Sequence, residues 1–189
     1  FPQKQMMSIF TGFLQTAYRK TTAAASVLAV VFYILDQITK EIIVRTVPPG
    51  TMSQVIRDFF YITHVTNPGA AWGILSGRGW LLLAISFAAF AGIVIFLRKL
   101  TDEYPERIFA LLAVCSGIAG NCTDRIFRGE VVDFLLFLQS LLFFLFFLLF
   151  YLGSYQWPAF NVADICISCG VSLFVISSVL RPERAKKKD

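Results

Sequence analysis

Histidine is almost missing from this chain: His64 is the single one among 189 residues. A serine or cysteine triad would have to be built on that one imidazole, and no H-E-x-x-H pair is present to hold zinc. The Asp-Thr-Gly and Asp-Ser-Gly tripeptides of soluble aspartic proteases are absent too. Charge is scarce. Only 15% of residues are charged and 57% are hydrophobic, with a mean hydropathy of +0.68. That is more apolar surface than a soluble domain of this size usually hides, so the solvent is read as lipid. The net charge of +5 resides in short basic clusters beside apolar runs. Such clusters fit cytoplasmic loops of a membrane protein better than a nucleic-acid surface, and no nucleic-acid partner is expected. The four cysteines, Cys115, Cys122, Cys166 and Cys169, lie in or beside apolar runs and imply no disulfide framework. The Cys166-x-x-Cys169 pair has no second pair and one histidine to help it, so no metal is expected.

Four apolar segments reach membrane-crossing length, which is roughly 20 residues. The first runs from about Ala23 to Val44 and is broken by Asp36 and Lys40, four apart on one helical face. The second, Trp80 to Leu97, carries no charge and ends at Arg98 and Lys99. The third begins near Ile108 and ends in Asn121, Asp124 and Arg125, whose spacing puts them on one face. The fourth, about Phe160 to Leu180, follows Trp157 and Pro158 and carries Asn161, Asp164, Ser168 and Ser172 as a polar stripe expected to face the bundle interior. Residues 1–20 lack a long apolar run with a small-residue cleavage site, so they read as a cytoplasmic or expression-derived segment, with an amphipathic surface helix expected. Lys4, Arg19 and Lys20, then Arg98, Lys99 and Arg107, then Arg181, Arg184 and Lys186 to Lys188 belong on the inner side by the positive-inside bias. Both termini are therefore expected in the cytoplasm, and the polar ends of the first, third and fourth helices near the outer leaflet.

Two outer connections follow. Val47 to Leu75 alternates in FFYITHV and holds the turn residues Asn67, Pro68 and Gly69, which predicts a small sheet on the outer leaflet with His64 as a partly exposed strand residue. Leu135 to Gly153 is nearly long enough to cross the membrane. A crossing there would put the basic tail, residues 181–189, outside and would separate Asp133 from Asp164 by the membrane thickness, so the segment is read as re-entrant or interfacial. The expected architecture is an all-α membrane protein of four transmembrane helices with a small outer-leaflet β-sheet, one domain over 1–189.

Acids converge where these helices meet the outer side. Each of Asp36, Asp124, Asp133 and Asp164 costs roughly 2.5 to 3.5 kcal/mol at membrane depth on insertion scales, so each requires a partner or a chemical role. Two carboxyls brought together share one proton. The ionised member takes a proton from water as it attacks a carbonyl, and its protonated neighbour donates to the developing oxyanion. That chemistry needs no cofactor.

Four blocks carry a resemblance: LDQITK (35–40), TNPGAAWG (66–73), GNCTDRIFRGEVVDF (120–134) and FNVAD (160–164). In order, and in spacing relative to the apolar segments, they resemble the lipoprotein signal peptidase (signal peptidase II) family. The resemblance implies a bacterial inner-membrane aspartyl endopeptidase that removes the signal peptide from diacylglyceryl-modified prolipoproteins, N-terminal to the lipidated cysteine. By motif, it makes Asp133 and Asp164 the catalytic pair. Asn67 and Gly69 in the outer loop, with Asn121 and Arg125 on the third helix, resemble the substrate-binding set, and Asp36, Lys40, Asp124 and Asn161 have supporting places. The partners implied are the lipid-modified prolipoprotein and membrane lipids, with the chain as a monomer. The connection between Asp133 and Asp164 departs from the family in being longer and richer in Phe and Leu. Another class of function, a small proton-coupled transporter or channel with a carboxylate relay, would spread acids through the membrane depth. Here they gather at one side, and the second apolar segment has none.

Overall fold

A computed structural model describes residues 2–57, 59–70, 74–102, 104–137 and 158–181. Among these residues, four helices and a three-stranded sheet follow in the order α1 (Pro2–Thr46), β1 (Met52–Ile56), β2 (Phe60–Asn67), α2 (Gly79–Thr101), α3 (Pro105–Phe127), β3 (Val131–Phe137) and α4 (Val162–Leu180). The first apolar segment extends backward without a break, because no glycine or proline interrupts its helical pattern except Gly12, so α1 is one helix of 45 residues. Residues 2–20 are the first part of that helix rather than a separate element. Most of the basic tail, 182–189, lies outside the described residues.

Helix α3 is the axle. It packs against α1, α2 and α4, starts with Pro105 at its first turn and buries Ile108, Ala110, Leu111, Val114 and Cys115. Close approach to α4 rests on small residues. A Cβ on Gly117 would collide with the Ala163 carbonyl oxygen and come within 2.7 Å of Ile167 Cγ1, and one on Gly170 would sit 2.6 Å from the Ala110 carbonyl oxygen. In lipid, apolar side chains gain nothing by leaving the solvent, so intimate backbone contact of this kind replaces hydrophobic burial as the source of helix association. The stripe expected on α4 is revised accordingly. Asn161 is buried and Asp164 half-buried, but Ser168 and Ser172 are exposed, and the rest of the inner face is Ala163, Cys166, Gly170 and Ser177. Cys169 is exposed as well, while the other three cysteines are buried.

Helix α2 is the opposite case. Only Thr101 of its residues is buried, and Ile85, Phe87, Val94, Ile95 and Phe96 all face outward. Among the described residues two helices, α2 and α4, are long and apolar enough to cross a membrane by length and composition. In α1 and α3 the ionisable residues interrupt the apolar run.

The sheet has the order β1-β2-β3, antiparallel throughout. Its first two strands lie inside the expected outer segment. The third, Val131–Phe137, corrects the reading of Leu135 as the start of an interfacial segment, since Leu135 to Phe137 pair with Phe60 to Ile62. The remainder of that segment, 138–153, lies outside the described residues. Residues of β3 are buried on both faces: Val132 and Phe134 join Ile43 in a cluster against Val47, Ile62 and Val162, and Asp133, one step out of phase, points the other way. Gly129, at φ 86°, makes the turn that returns the chain from α3 into β3.

The glycine contacts give a direct test. Gly117→Ala sets a methyl group against a carbonyl oxygen that cannot move independently of α4, and it is expected to destabilise the bundle by about 1–3 kcal/mol, read as a lower thermal unfolding midpoint in detergent micelles. Gly92→Ala, where a Cβ meets nothing within 4 Å, leaves the midpoint unchanged or raises it.

Candidate active site

The four acids fall into two groups that differ in how their charge is balanced. Asp36 and Asp124 are fully buried against cations. Lys40, itself 0% exposed, places its ammonium 2.9 Å from Asp36 Oδ2, 2.8 Å from Asp124 Oδ2 and 3.0 Å from Asn121 Oδ1. Three acceptors meet three N–H bonds. Asp124 also receives Arg128, four residues on, and Arg128 reaches Glu41 Oε2 at 2.9 Å. Arg128 is not among the residues expected from the sequence, although its i to i+4 spacing from Asp124 signals the pair. The expected pairing of Asp36 with Lys40 is thus one edge of a larger ion cluster tying α1 to α3.

This cluster holds the backbone immediately before each remaining acid. Asp36 Oδ1 accepts the Ala163 amide at 2.8 Å, one residue before Asp164. Asp124 Oδ2 accepts the Val132 amide at 3.2 Å, one residue before Asp133. Gln37 adds a bond from its Nε2 to the Gly120 carbonyl at 3.2 Å, beside the position where a Cβ would collide with Asp36.

Asp133 and Asp164 are bound by neutral amides. Asn161 joins them. It is the N-cap of α4, with its Oδ1 accepting the Asp164 amide at 2.9 Å while Asp164 Oδ2 accepts the Asn161 amide at 3.2 Å, a reciprocal capping box. Its Nδ2 donates to Asp133 Oδ1 at 2.7 Å. Asn121 Nδ2 donates to Asp164 Oδ1 at 2.8 Å, and Asn67 Nδ2 donates to Asp133 Oδ2 at 3.2 Å. Asn67 reaches across the sheet because β2 and β3 set it opposite Val131, diagonal to Asp133. Its own Oδ1 accepts the Gly69 amide at 2.9 Å, so it shapes the turn and contacts the acid together. Asp133 is 3% exposed. Burial, and then the neighbouring Asp164, push its carboxyl up to about 7, against the opposing pull of the Asn67 and Asn161 amides.

Of the four residues expected to touch a substrate, Asn67 and Gly69 form the outer loop, Arg125 bonds to it, and Asn121 does not. Arg125 Nη2 donates to the Gly69 carbonyl at 2.9 Å, fastening that loop to α3. Asn121 is 9% exposed with both ends of its amide engaged between Lys40 and Asp164, which places it among the supporting groups. His64 differs from its expected exposure: it is 6% exposed, with Nδ1 at 2.7 Å from the Val47 carbonyl oxygen, and ties β2 to the end of α1. Ala71 to Gly73 of the outer block lie outside the described residues.

The family model described as signal peptidase (SPase) II matches residues 28–180, which contain every residue of this cluster. The chain belongs to the signal peptidase II family. Among its relatives, the lipoprotein signal peptidase of Bacillus pumilus is 38% identical over 161 residues, covering 85% of this chain and 96% of that one. That of Symbiobacterium thermophilum is 38% identical over 154 residues, covering 82% and 93%. A bacterial membrane enzyme solved by the in meso method at 2.3 Å resolution aligns with a TM-score of 0.73 at 33% identity, over 88% of this chain and 94% of that one. This signal peptidase II chain is a protease by family, and its sheet, its acid cluster and all of the bundle but the first part of α1 lie within the matched region.

The ion cluster predicts an asymmetric response to mutation. Lys40→Met leaves Asp36 and Asp124 as buried carboxylates with one cation fewer, and is expected to cost about 3–5 kcal/mol, measured as lost folded yield and a lowered unfolding midpoint. Lys40→Met combined with Asp36→Asn removes one of those charges as well and recovers part of the loss.

Proposed function

We propose that this chain is an intramembrane aspartyl endopeptidase that removes the signal peptide from diacylglyceryl-modified prolipoproteins, cutting N-terminal to the lipidated cysteine, with Asp133 and Asp164 as the catalytic pair. The observation that carries this reading is the contrast in charge balance. Asp36 and Asp124 are ion-paired with Lys40 and Arg128, whereas Asp133 and Asp164 accept neutral amides and are joined through Asn161, which suits them to proton transfer. The names of the relatives supply the substrate class.

In the proposed reaction Asp133 holds the proton and Asp164 is the base. The Asn121 side chain, the Asn161 amide and the N-terminus of α4 all point donors or positive dipole at Asp164, as a base there requires. Water attacks the scissile carbonyl carbon as Asp164 takes its proton, and Asp133 delivers its own to the carbonyl oxygen, giving a gem-diol. Asp133 then takes a proton back from that diol while Asp164 protonates the leaving nitrogen, and the C–N bond breaks. Both carboxyls return to their starting state.

The supporting frame is a single domain over residues 1–189, monomeric, with four transmembrane helices, a bacterial cytoplasmic-membrane location, both termini in the cytoplasm and the acid pair near the outer leaflet. Exposed apolar residues along α1, among them Val27, Val30, Val31, Ile34 and Ile38, support α1 as a lipid-facing span despite its buried ion cluster. The basic residues at the opposite end of the bundle support the orientation. The Gly69 loop held by Arg125 is the natural contact for the peptide, since it borders Asn67 and through it Asp133. The gathering of acids at one end disfavours a proton relay, which needs stations along the membrane depth.

Two measurements test the reading. Asp133→Asn and Asp164→Asn, assayed for cleavage of a lipidated prolipoprotein in micelles under single-turnover conditions, should each fall by at least about a thousandfold, because an amide cannot pass the proton. Near wild-type turnover in either variant defeats the pair. The rate should also decline as pH rises through about 7, where Asp133 gives up its proton. Asn67→Ala removes a donor that favours the ionised form of Asp133, so the alkaline decline moves to higher pH.

A further inference from the structure

At the far end of α3, about 25 Å from Asp124 by the helical rise over seventeen residues, lies a second cluster of charge that the peptidase site does not use. A cleft of about 360 Å³ opens there between the ends of α2 and α4, lined by Lys99, Leu100, Asp102, Arg107, Phe174 and Ser178. Arg107 is 3% exposed. Part of its guanidinium is committed to the fold. Its Nε donates to Ser177 Oγ at 3.1 Å, and Nη2 donates to the Ser177 carbonyl at 3.2 Å and to the Arg181 carbonyl, closing the C-terminal turn of α4. Its face lies over the Tyr104 ring, 4.5 Å from the centroid. Capping accounts for Nε and Nη2. It does not account for Nη1, which meets Asp102 Oδ2 only at 3.5 Å, nor for a cleft beside it.

Among the described residues that line the cleft, the charges do not cancel. Arg181 is paired with Glu106 at 3.0 Å, and Asp102 offsets one of the two remaining cations, Lys99 and Arg107. Lys99 is exposed and has no ion pair among the described residues. One positive charge is left over, beside apolar walls from Leu100 and Phe174, at the edge of a helix whose whole outer face is apolar. A ligand that matches has one negative charge on oxygen atoms able to take two donors, joined to an apolar body. We propose that this cleft binds the phosphate group of an anionic phospholipid of the inner leaflet, with Lys99 and Arg107 Nη1 as its donors and Leu100 and Phe174 against the first methylenes of the lipid.

Competition between lipids tests this without reference to catalysis. The full-length chain, purified and equilibrated in mixed micelles holding equal amounts of dioleoyl phosphatidylglycerol and dioleoyl phosphatidylcholine, is released into the gas phase and its retained lipids are counted by native mass spectrometry. The wild type should retain the phosphatidylglycerol preferentially. Lys99→Gln should reduce that preference about fivefold, and Lys20→Gln, an exposed lysine on α1 outside the cleft, should leave it in place. Inorganic phosphate at millimolar concentration separates the two sources of the ligand. No displacement of phosphatidylglycerol assigns the cleft to lipid, and displacement, with phosphate alone raising the unfolding midpoint of the wild type but not of Lys99→Gln, assigns the same phosphate site to a soluble anion. Equal preference in wild type and Lys99→Gln, or equal loss in Lys99→Gln and Lys20→Gln, overturns the site, because attraction to the anionic surface would then be diffuse.

Discussion

A buried ammonium with three acceptors organises this protein. Lys40 lies at 2.8 to 3.0 Å from Asp36, Asp124 and Asn121, and with Arg128, Glu41 and Arg45 the cluster holds three positive and three negative charges. Balance of this kind does not by itself make a fold stable, since desolvating ions offsets much of what their attraction returns. What it supplies in lipid is register. The apolar faces of α1 and α3 are interchangeable by one turn or more, because leucine against lipid and leucine against leucine differ little. Shifting α1 by a turn would carry the Asp36–Lys40 pair away from Asp124, Asn121 and the Ala163 amide, and leave the buried Asp124 with Arg128 alone. The ion cluster therefore decides which residues of α1 meet which residues of α3, and the glycine contacts decide how closely α3 meets α4.

That register reaches the proposed catalytic pair through two backbone amides. Asp36 holds the amide of Ala163 and Asp124 that of Val132, so each of the two ion-paired acids positions the residue preceding one of the two acids proposed to react. The division also explains why Asp133 and not Asp124 is the proposed reactive group, although both lie beside the same turn. Asp124 accepts Lys40 and Arg128, and protonating it would leave both cations short of a partner. Asp133 accepts two neutral amides, and its proton can come and go at moderate cost. A family motif singles out Asp133 by position; the environment gives the reason.

Much of this is legible in the chain of residues, and the failures have a common cause. The four helices and the gathering of acids follow from hydropathy and the spacing of ionisable groups, signals that lipid makes strong. The third strand does not follow, because VVDFLLF is buried on both faces and a continuous apolar run has no period to distinguish strand from helix. The polar stripe expected of α4 fails for a related reason. Ser168 and Ser172 are small enough to sit on the outer face, and the inner face is marked by Ala163, Cys166 and Gly170 instead. His64, a polar residue in an alternating strand, is buried because a carbonyl at the end of α1 lies where its ring can reach it. No local pattern announces such a partner 17 residues away in the chain.

Asn161 shows how narrowly the site constrains one position. Its oxygen caps the first turn of α4 through the Asp164 amide, and its nitrogen donates to Asp133, so one planar amide fixes the relation between the two acids. Serine, threonine and aspartate are also good N-caps. Serine or threonine would keep the cap, but the hydroxyl is too short to span to Asp133. Aspartate would keep the cap and turn a second oxygen toward Asp133, replacing an attraction by a repulsion and adding a charge beside two acids that have no ion pair among the described residues. Only an amide offers an acceptor to the helix and a donor to the acid at once. The requirement at this residue is therefore set jointly by helix capping and by the hydrogen bond to Asp133, and neither alone would select asparagine.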